Sequence, residues 1–338
     1  MFGNVEIGDV VKIKSGLKSG DLVDNFPFPE TILNEGIDIF EITEIDGNFV
    51  KVNGFWLTKG MVNPLKPNIL DMKAYQNAKI LMLKRQVEVL KKAGIEPELK
   101  ILTDGKSKAA ETYMKSKVKQ ASAIGIKVIK LVVGENDDVT EFICENMYSS
   151  TPIICQFPID ERVKGIYMDN IAAFLDADGF NMYDRLYNGD YSIAPATAKG
   201  IYEHLLFSGK EIRGANVVIL GRGELVGKPL SIMLINEGAT VTVINSKTDD
   251  IFKRLVLKEA DVVVAATGVL GSVKTSELSD TKEVFVYNVG VCFDENKKLT
   301  TECVCDEYKE NMFMTDRIGA VGVCTCLNLF DNVLNFYS

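Results

Sequence analysis

The sequence predicts an α/β protein with parallel sheets, and three observations support this fold class. Short apolar runs alternate with segments of helical periodicity from about residue 98 onward, which is typical of strands joined by crossover helices. Residues 216–248 contain a complete strand–helix–strand pattern. The composition, 46% hydrophobic and 25% charged over 338 residues, is that of a globular chain with room for more than one domain.

Residues 1–66 are predicted to form a separate small all-β domain with a barrel-like fold. Residues 5–13 alternate like a strand, and IFEITEI followed by NFVKVNGFWL indicates a hairpin around Asp46 and Gly47. The segment 63–67, NPLKP, marks a boundary because each proline disfavours helix in the residue before it. The sequence does not indicate what this domain does.

The next part of the chain is predicted to be an α/β domain. Its elements are a long amphipathic helix from 69 to 93, strands at 98–102, 127–133 and 152–157, and helices at about 107–124 and 168–175. Ligands of a parallel sheet bind at the carboxyl ends of its strands. Polar residues that follow these strands are therefore candidates for a site.

A glycine turn lies at the centre of the sequence. The turn 221–223, Gly-Arg-Gly, joins strand 216–220 to a helix from about 225 to 236, and a second strand follows at 240–244. Glycine allows a backbone to approach a phosphate closely, and a helix N-terminus attracts anions. This pattern predicts a dinucleotide-binding unit. The alternative is that the glycines only permit tight packing of strand and helix.

The residues after the second strand favour NADP over NAD. NAD-binding proteins commonly carry an acidic residue here, but this strand ends in Asn245-Ser246-Lys247 and the first carboxylate is that of Asp249. Arg222 in the turn, together with Ser246 and Lys247, suits a 2′-phosphate instead. NAD stays possible, and Lys247 could be a solvated surface charge. Further strands are predicted at 261–265 and 283–288, and a closing helix at 324–337.

Charge and residue usage exclude several classes of function. A net charge of −9 and a pI near 5.0 disfavour binding to nucleic acids or anionic membranes. No apolar window is long enough for a membrane span. Seven cysteines, an odd number, suit reduced thiols in a cytoplasm. The single histidine, His204, rules out a histidine-based metal site or triad, and no metal is predicted.

Four side chains outside the glycine unit are candidates for chemistry. Tyr113 and Lys117 are four residues apart on a predicted helix, so they share a face, although an ordinary surface helix would also explain them. A partly desolvated lysine can act as an acid or base near neutral pH. Gln156 ends a buried-looking strand, and Asp178 lies in a glycine-bearing loop, where a turn aspartate is the alternative.

Several motifs in order resemble those of the bifunctional methylenetetrahydrofolate dehydrogenase/methenyltetrahydrofolate cyclohydrolase family. YMKSKVKQASAIGIKV is similar to its Tyr-Lys helix, ICQFPID to its V-Q-L-P-L-P strand end, and DADGF to its D-V-D-G-F loop. ILGRGELVGKPLSIMLINEGATVTVINSKT is similar to the block that runs from G-R-S-x-x-V-G-K-P to H-S-K-T, and IGAVGVCT to P-G-G-V-G-P-M-T. The resemblance covers about residues 70–338.

The resemblance implies a folate-binding α/β domain, residues 68–190 plus 322–338, facing a Rossmann NADP-binding domain, residues 191–321, across a cleft. It implies that Lys117 is the acid/base, that Gln156 tunes it, that Tyr113 packs on the folate ring and that Asp178 binds the pterin. It places Gly319 and Gly322 at the substrate. It assigns to the cofactor Gly221, Arg222, Gly223, Val226, Gly227, Ser246, Lys247 and Thr267. A folate substrate and a homodimer are also implied.

The sequence departs from the family motifs at several positions, which are Ala196, Ala198, Gly223, Asn245, Asn288, Ile318 and Val323. The four folate-facing polar residues are present, so an active NADP-dependent dehydrogenase and cyclohydrolase of one-carbon metabolism is the main prediction. Two alternatives stay open. One is an NAD(P)-dependent oxidoreductase on another small substrate, and the other is a non-catalytic nucleotide- or folate-binding relic whose β domain recruits a partner.

Overall fold

The computed structural model describes residues 10–13, 22–23, 26–27, 39–46, 49–52, 55–58, 62–65, 68–135, 137–147, 151–172, 175–181, 183–293, 299–307, 309–315 and 320–337. The chain divides into two compact units. The first comprises residues 1–68 and 305–310, and the second comprises residues 69–304 and 311–338. No helix in the described ranges is both long and apolar enough to cross a membrane.

The first unit contains a five-stranded antiparallel sheet with the order β6-β5-β4-β1-β7. Its strands, with the short pair β2 and β3, are β1 (Val10–Ile13), β2 (Leu22–Val23), β3 (Phe26–Pro27), β4 (Ile39–Asp46), β5 (Phe49–Val52), β6 (Phe55–Thr58) and β7 (Val62–Leu65). Strands β4 and β5 form the predicted hairpin. Because Asp46 pairs with Phe49, the connecting residues are 47 and 48, not 46 and 47 as predicted. The barrel-like closure of this domain stays a prediction.

The second unit begins with a three-stranded parallel sheet of order β10-β9-β11 and the helices around it. The elements are β8 (Asn68–Leu70), α1 (Met72–Lys92), β9 (Glu98–Thr103), α2 (Lys108–Ile124), β10 (Lys127–Val132), α3 (Val139–Met147), β11 (Ile153–Cys155), α4 (Glu161–Asn170), α5 (Tyr183–Tyr187) and α6 (Ala196–Phe207). Strand β9 is central, and its residues Leu99, Ile101 and Leu102 are fully buried.

Two predicted helices begin at the wrong place. Residues 68–70 form strand β8, and α1 starts only after Asp71, whose carboxylate accepts the backbone N–H of Lys73 at 2.9 Å. The helix predicted at 168–175 is instead α4, which starts after Asp160 and ends at Asn170. Asp160 caps it by accepting the N–H of Arg162 at 3.0 Å. In both cases a capping aspartate, rather than apolar periodicity, sets the boundary.

The remainder of the second unit is a six-stranded sheet of order β13-β12-β14-β16-β20-β8 with its helices. Strands β12, β13, β14, β16 and β20 pair in parallel. The elements are β12 (Asn216–Leu220), α7 (Gly227–Asn236), β13 (Thr240–Ile244), α8 (Asp250–Lys258), β14 (Val262–Ala265), β15 (Val273–Lys274), β16 (Val284–Asn288), β17 (Val291–Phe293), β18 (Leu299–Thr301), β19 (Cys303–Val304), β20 (Met312–Thr315) and α9 (Ala320–Asn335). The predicted strands of this sheet are confirmed.

The closing helix α9 packs in the hydrophobic cores beside both sheets. Leu327, Phe330 and Val333 pack in the hydrophobic core of the three-stranded sheet, whereas Val321 and Cys324 join the core beside the six-stranded sheet. This return of the last helix agrees with the predicted chain path. Both sheets lie in one compact unit, so the domain boundaries predicted at residues 190 and 321 stay a prediction. Strand β8 joins the six-stranded sheet, although residue 68 onward was assigned to the folate-binding domain.

Candidate active site

Lys117 and Gln156 meet at the carboxyl end of the three-stranded sheet. The Lys117 Nζ donates a hydrogen bond of 2.8 Å to the Gln156 Oε1. Gln156 is buried, with 5% of its surface exposed, and its Nε2 donates to the carbonyl of Phe157 at 2.6 Å. Because the amide nitrogen is occupied, the amide oxygen points to the lysine. This contact joins helix α2 to the residue that follows β11.

Tyr113 lies one helical turn before Lys117 on α2, and its side chain is 55% exposed. The start of this helix is fixed by Ser107, whose hydroxyl oxygen accepts the N–H of Ala110 at 3.2 Å. Residues four apart on a helix share a face, so the phenol and the ammonium stand on the same side of α2. The open ring can therefore stack on a planar ligand beside the lysine.

Asp178 is held near this pair by the loop that follows residue 175. The N–H of Ala177 donates to the carbonyl of Ile153 in β11 at 3.2 Å. The pKa of Asp178 is raised to about 7, chiefly by burial and also by the neighbouring Asp176, although the charge of Lys117 and a hydrogen bond from the Cys155 backbone lower it. The influence of Lys117 shows that ammonium and carboxyl are within electrostatic reach.

Asp176 is a residue that the sequence interpretation missed. It is fully buried, and its carboxylate accepts the N–H groups of Gly179 at 3.1 Å and Asn181 at 2.9 Å. These bonds shape the loop that carries Asp178. The first aspartate of DADGF is thus structural, and the second, Asp178, stays the candidate for a ligand contact. The sequence does contain a signal for Asp176, because two acidic residues separated by one position precede the glycine of this loop.

A cleft of about 570 Å³ opens between the segment that follows Gln156 and the glycine turn. Tyr113, Lys117, Gln156 and Asp178 are not among the described residues that line it. One wall comes from the segment after β11 and from α4, and the other comes from the glycine turn and the loops after β14 and β16. Its lining includes Phe157, Pro158, Ile159, Lys164, Met168 and Phe180 on the first wall and Gly223, Val226, Gly227, Gly268, Gly290 and Glu302 on the second. The predicted cleft between the two sheets is therefore present, and Gln156 immediately precedes its first wall.

The glycine turn is closely packed at two of its glycines, as the alternative interpretation of the sequence expects, and this does not exclude a nucleotide. Gly221 has a φ of +105°, which favours glycine, and a Cβ there would overlap the carbonyl of Ala266. A Cβ on Gly227 would collide with the carbonyl oxygen of Gly221. By contrast, a Cβ on Gly223 would meet open space. Val226 precedes α7 and provides no capping side-chain hydrogen bond, so this helix start is available to a bound anion.

A second groove of about 540 Å³ lies beside the glycine turn. The described residues that line it all come from the strands, helices and loops of the six-stranded sheet. Four of the residues predicted to contact the cofactor line this groove, namely Gly221, Arg222, Ser246 and Thr267, and their contact with a cofactor stays a prediction. Lys247 is exposed and is not among these residues. Two further groove residues, Asp250 and Lys253 of α8, were not predicted, because an amphipathic helix alone does not indicate which charges face a groove.

Gly319 and Gly322 are the two other positions that were predicted to contact the substrate. Gly322 lies in the first turn of α9, and Gly319 lies outside the described residues. Within the described ranges, no group of three or more histidine, cysteine or acidic side chains could hold a metal ion. None of the seven cysteines, all of which lie in the described ranges, forms a disulfide.

The comparisons with known proteins identify the family. Residues 195–338 match the family "Tetrahydrofolate dehydrogenase/cyclohydrolase, NAD(P)-binding domain". The "Bifunctional protein FolD" of Listeria monocytogenes is 34% identical over 267 residues, which cover 74% of this chain and 90% of the relative. The chain belongs to the FolD family.

Solved structures of FolD proteins have the same fold. The FolD methylenetetrahydrofolate dehydrogenase/cyclohydrolase of Campylobacter jejuni superposes with a TM-score of 0.74 at 28% identity, covering 80% of this chain and 98% of that structure. The enzyme of Trypanosoma brucei, solved with NADP and an inhibitor, gives a TM-score of 0.70 at 28% identity, covering 80% and 97%. The α/β fold with a Rossmann-type domain is thereby confirmed.

Proposed function

We propose that this FolD protein oxidises 5,10-methylenetetrahydrofolate with NADP and hydrolyses the resulting 5,10-methenyltetrahydrofolate to 10-formyltetrahydrofolate. The observation that carries the proposal is the 2.8 Å contact between Lys117 and Gln156. It lies beside a cleft whose opposite wall is the glycine turn. Gln156 directly precedes Phe157, which lines this cleft, so the proposal places the acid/base group and the dinucleotide site at two sides of one bound folate.

The oxidation step needs positioning rather than a base. The substrate loses hydrogen and the bonding electron pair from its N–CH2–N carbon, and the cation that remains is shared by two nitrogens. When bound, NADP+ supplies the two-electron oxidant and becomes NADPH. The protein must hold the methylene carbon against the nicotinamide. The cleft has walls from both sheets, so the reacting ends of both ligands belong there, and the adenosine half of the cofactor belongs in the groove at Arg222 and Ser246.

The hydrolysis step does need proton transfer. Water adds to the methenyl carbon, a proton leaves, and the ring opens when a C–N bond breaks and the nitrogen gains a proton. Lys117 is the group that we assign to these transfers. Gln156 orients the amine, Tyr113 stacks on the folate ring, and the Asp178 carboxylate accepts N–H groups of the pterin. Gly322, near the start of α9, and Gly319 are proposed to border the substrate.

The groove fits NADP by its donor set. Arg222 provides a guanidinium and Ser246 a hydroxyl in one cavity, and both can bind a 2′-phosphate. Gly221 and Thr267 line the groove, and Gly223, Val226 and Gly227 line the adjoining cleft, so the backbone of the turn is proposed to contact the pyrophosphate. Lys247 is proposed to approach the phosphate from outside the groove. Arg222→Ala should raise the KM for NADP+ about tenfold or more and change that for NAD+ little.

Activity assays test the main proposal. Purified protein with methylenetetrahydrofolate and NADP+ should produce NADPH, and methenyltetrahydrofolate should be hydrolysed. Lys117→Met should abolish hydrolysis and leave NADP+ binding intact. Failure to reduce either NADP+ or NAD+, together with no competition by a folate analogue, would reject the folate reaction. Reduction of NADP+ with another small substrate would then support an oxidoreductase of different specificity.

We also propose that the enzyme is a cytoplasmic homodimer. Seven cysteines without a disulfide suit a reducing compartment. Helix α8 exposes Ile251, Phe252 and Leu255, and such an apolar patch suits self-association. Sedimentation equilibrium of the full chain should give twice the monomer mass, and Phe252→Glu should reduce it. A monomer at micromolar concentration would reject the dimer. Imaging of a fluorescent fusion tests the location.

A further inference from the structure

Glu302 lies beneath the cofactor site and was not predicted from the sequence. It is fully buried, and its carboxylate accepts four hydrogen bonds. One oxygen accepts from the Thr267 N–H at 2.8 Å, the Thr267 hydroxyl at 2.7 Å and the Ser272 hydroxyl at 3.3 Å. The other oxygen accepts from the Gly290 N–H at 2.8 Å. Since all four partners are donors, the site suits an ionised carboxylate.

These bonds join two loops that form the floor of the cofactor site. Thr267 and Ser272 belong to the loop after β14 and line the groove. Gly290 follows β16 and lines the cleft, and Glu302 lines the cleft as well. The carboxylate therefore sets the position of both loops at the point where the groove and the cleft adjoin.

Glu302 is also the buried charge of the cleft. Among the other charged residues that line the cleft in the described ranges, Glu161 and Glu224 are exposed, and Lys164 pairs with Glu161 at 3.2 Å. Solvent screens exposed charges far more than buried ones. Glu302 is therefore the least screened of the charges that line the cleft in the described ranges. A nicotinamide ring is cationic when oxidised and neutral when reduced, so such an anion stabilises the oxidised form.

We propose that Glu302 is a positioning residue that fixes the two loops relative to each other. Its negative charge also makes the site bind NADP+ more tightly than NADPH. The inference rests on the proposed function, because it assumes that the nicotinamide occupies the cleft. It goes beyond that function by assigning the preference for the oxidised cofactor to one carboxylate. A site with this preference binds the reactant of the oxidation more tightly and releases its product more easily.

Glutamine is the informative replacement at this position. It has the shape of glutamate, but one of its oxygens becomes an NH2 group, which would face either the Gly290 N–H or the Thr267 donors. A buried donor that faces a donor loses its hydrogen bond. Glu302→Gln thus removes the charge and one set of loop contacts, whereas Glu302→Asp keeps the charge and shortens the reach.

Direct binding measurements on the full chain test the inference. We expect Glu302→Gln to weaken NADP+ binding about tenfold more than NADPH binding, measured by fluorescence titration of each nucleotide. Glu302→Asp should weaken both nucleotides by similar factors and keep the ratio of their Kd values near that of the wild type. Glu96→Gln, which removes an exposed carboxylate, is the matched control and should change neither.

The outcomes separate this inference from the proposed function. Equal losses of NADP+ and NADPH in Glu302→Gln would overturn the charge effect, and unchanged binding in all variants would overturn the positioning role as well. If Glu302→Gln does not fold, as judged by circular dichroism, a changed NADP+/NADPH ratio in Glu302→Asp would overturn the inference. A wild-type protein that binds neither nucleotide would instead reject the proposed function.

Discussion

The Lys117 ammonium and the Gln156 amide oxygen are 2.8 Å apart, although 39 residues separate them in the chain. The geometry predicts different effects for two substitutions of the glutamine. Gln156→Glu places an anion against the ammonium and favours the protonated amine. Gln156→Met removes the acceptor without adding charge. We expect the pH midpoint of the hydrolysis to rise by about one to two units in the first variant and not to rise in the second.

The measurement is kcat for methenyltetrahydrofolate hydrolysis as a function of pH. The rate of the wild-type protein is the reference, and NADP+ binding of each variant is the control for folding. A midpoint that moves upward in both variants, or in neither, would contradict a direct coupling between the amide and the amine.

The raised pKa of Asp178 predicts a pH-dependent stability. Burial raises this pKa to about 7 in the folded chain, compared with about 3.9 in an unfolded one. The folded state therefore binds the proton more tightly, so the stabilisation is complete below about pH 4 and is lost as the pH rises through about 7. We expect the wild type to lose up to a few kcal/mol across this range that Asp178→Asn does not lose.

Urea denaturation of both proteins at about pH 4.5 and pH 7.5 measures the difference, since other titrating groups cancel between them. Parallel pH profiles of the free energy of unfolding would rule out a perturbed carboxyl at this position. The same substitution should weaken folate binding, because an amide that replaces a carboxylate is a poorer acceptor for pterin N–H groups.

Gly221 and Gly223 provide a matched pair within one turn. Gly221 has a left-handed backbone, and a Cβ would overlap the carbonyl of Ala266. A Cβ added to Gly223 would instead meet open space. Gly221→Ala should lower the free energy of unfolding by about 2 kcal/mol or more, and Gly223→Ala by less than about 1 kcal/mol. Thermal unfolding without nucleotide is the measurement, and equal losses would show that the turn is not constrained.

Much of the fold and of the site could be predicted from the sequence because apolar periodicity and strand ends are local signals. The parallel strands β12, β13, β14 and β16 are examples, whereas the contact between Lys117 and Gln156 was implied by the family resemblance. Strand β8 could not be predicted, since three residues before a helical pattern carry no periodicity. Glu302 was missed because its partners are donors from two distant loops. The start of α4 could have been found from Asp160, a capping residue followed by helix formers.

A buried charge network at Asp331 gives the last prediction. The Asp331 carboxylate contacts the Lys199 Nζ at 2.6 Å and the Lys79 Nζ at 3.2 Å, and both lysine side chains are at most 5% exposed. Burial lowers the pKa of Lys199, and Asp331 opposes that shift. Asp331→Asn leaves Lys199 with only neutral acceptors, Ser192 and Asn332, among the contacts that the structure describes. We expect a loss of about 3 kcal/mol in stability at neutral pH.

This loss should shrink as the pH rises, because deprotonation of Lys199 removes the uncompensated buried charge. Glu96→Gln is the control, since it breaks the exposed Lys91–Glu96 pair, 3.3 Å apart, and should cost less than about 0.5 kcal/mol. Urea denaturation at about pH 7 and pH 9.5 measures both variants. A loss in Asp331→Asn that is small or independent of pH would mean that Ser192 and Asn332 alone stabilise the buried ammonium. The three helices α1, α6 and α9 would then be held together by apolar packing rather than by this ion pair.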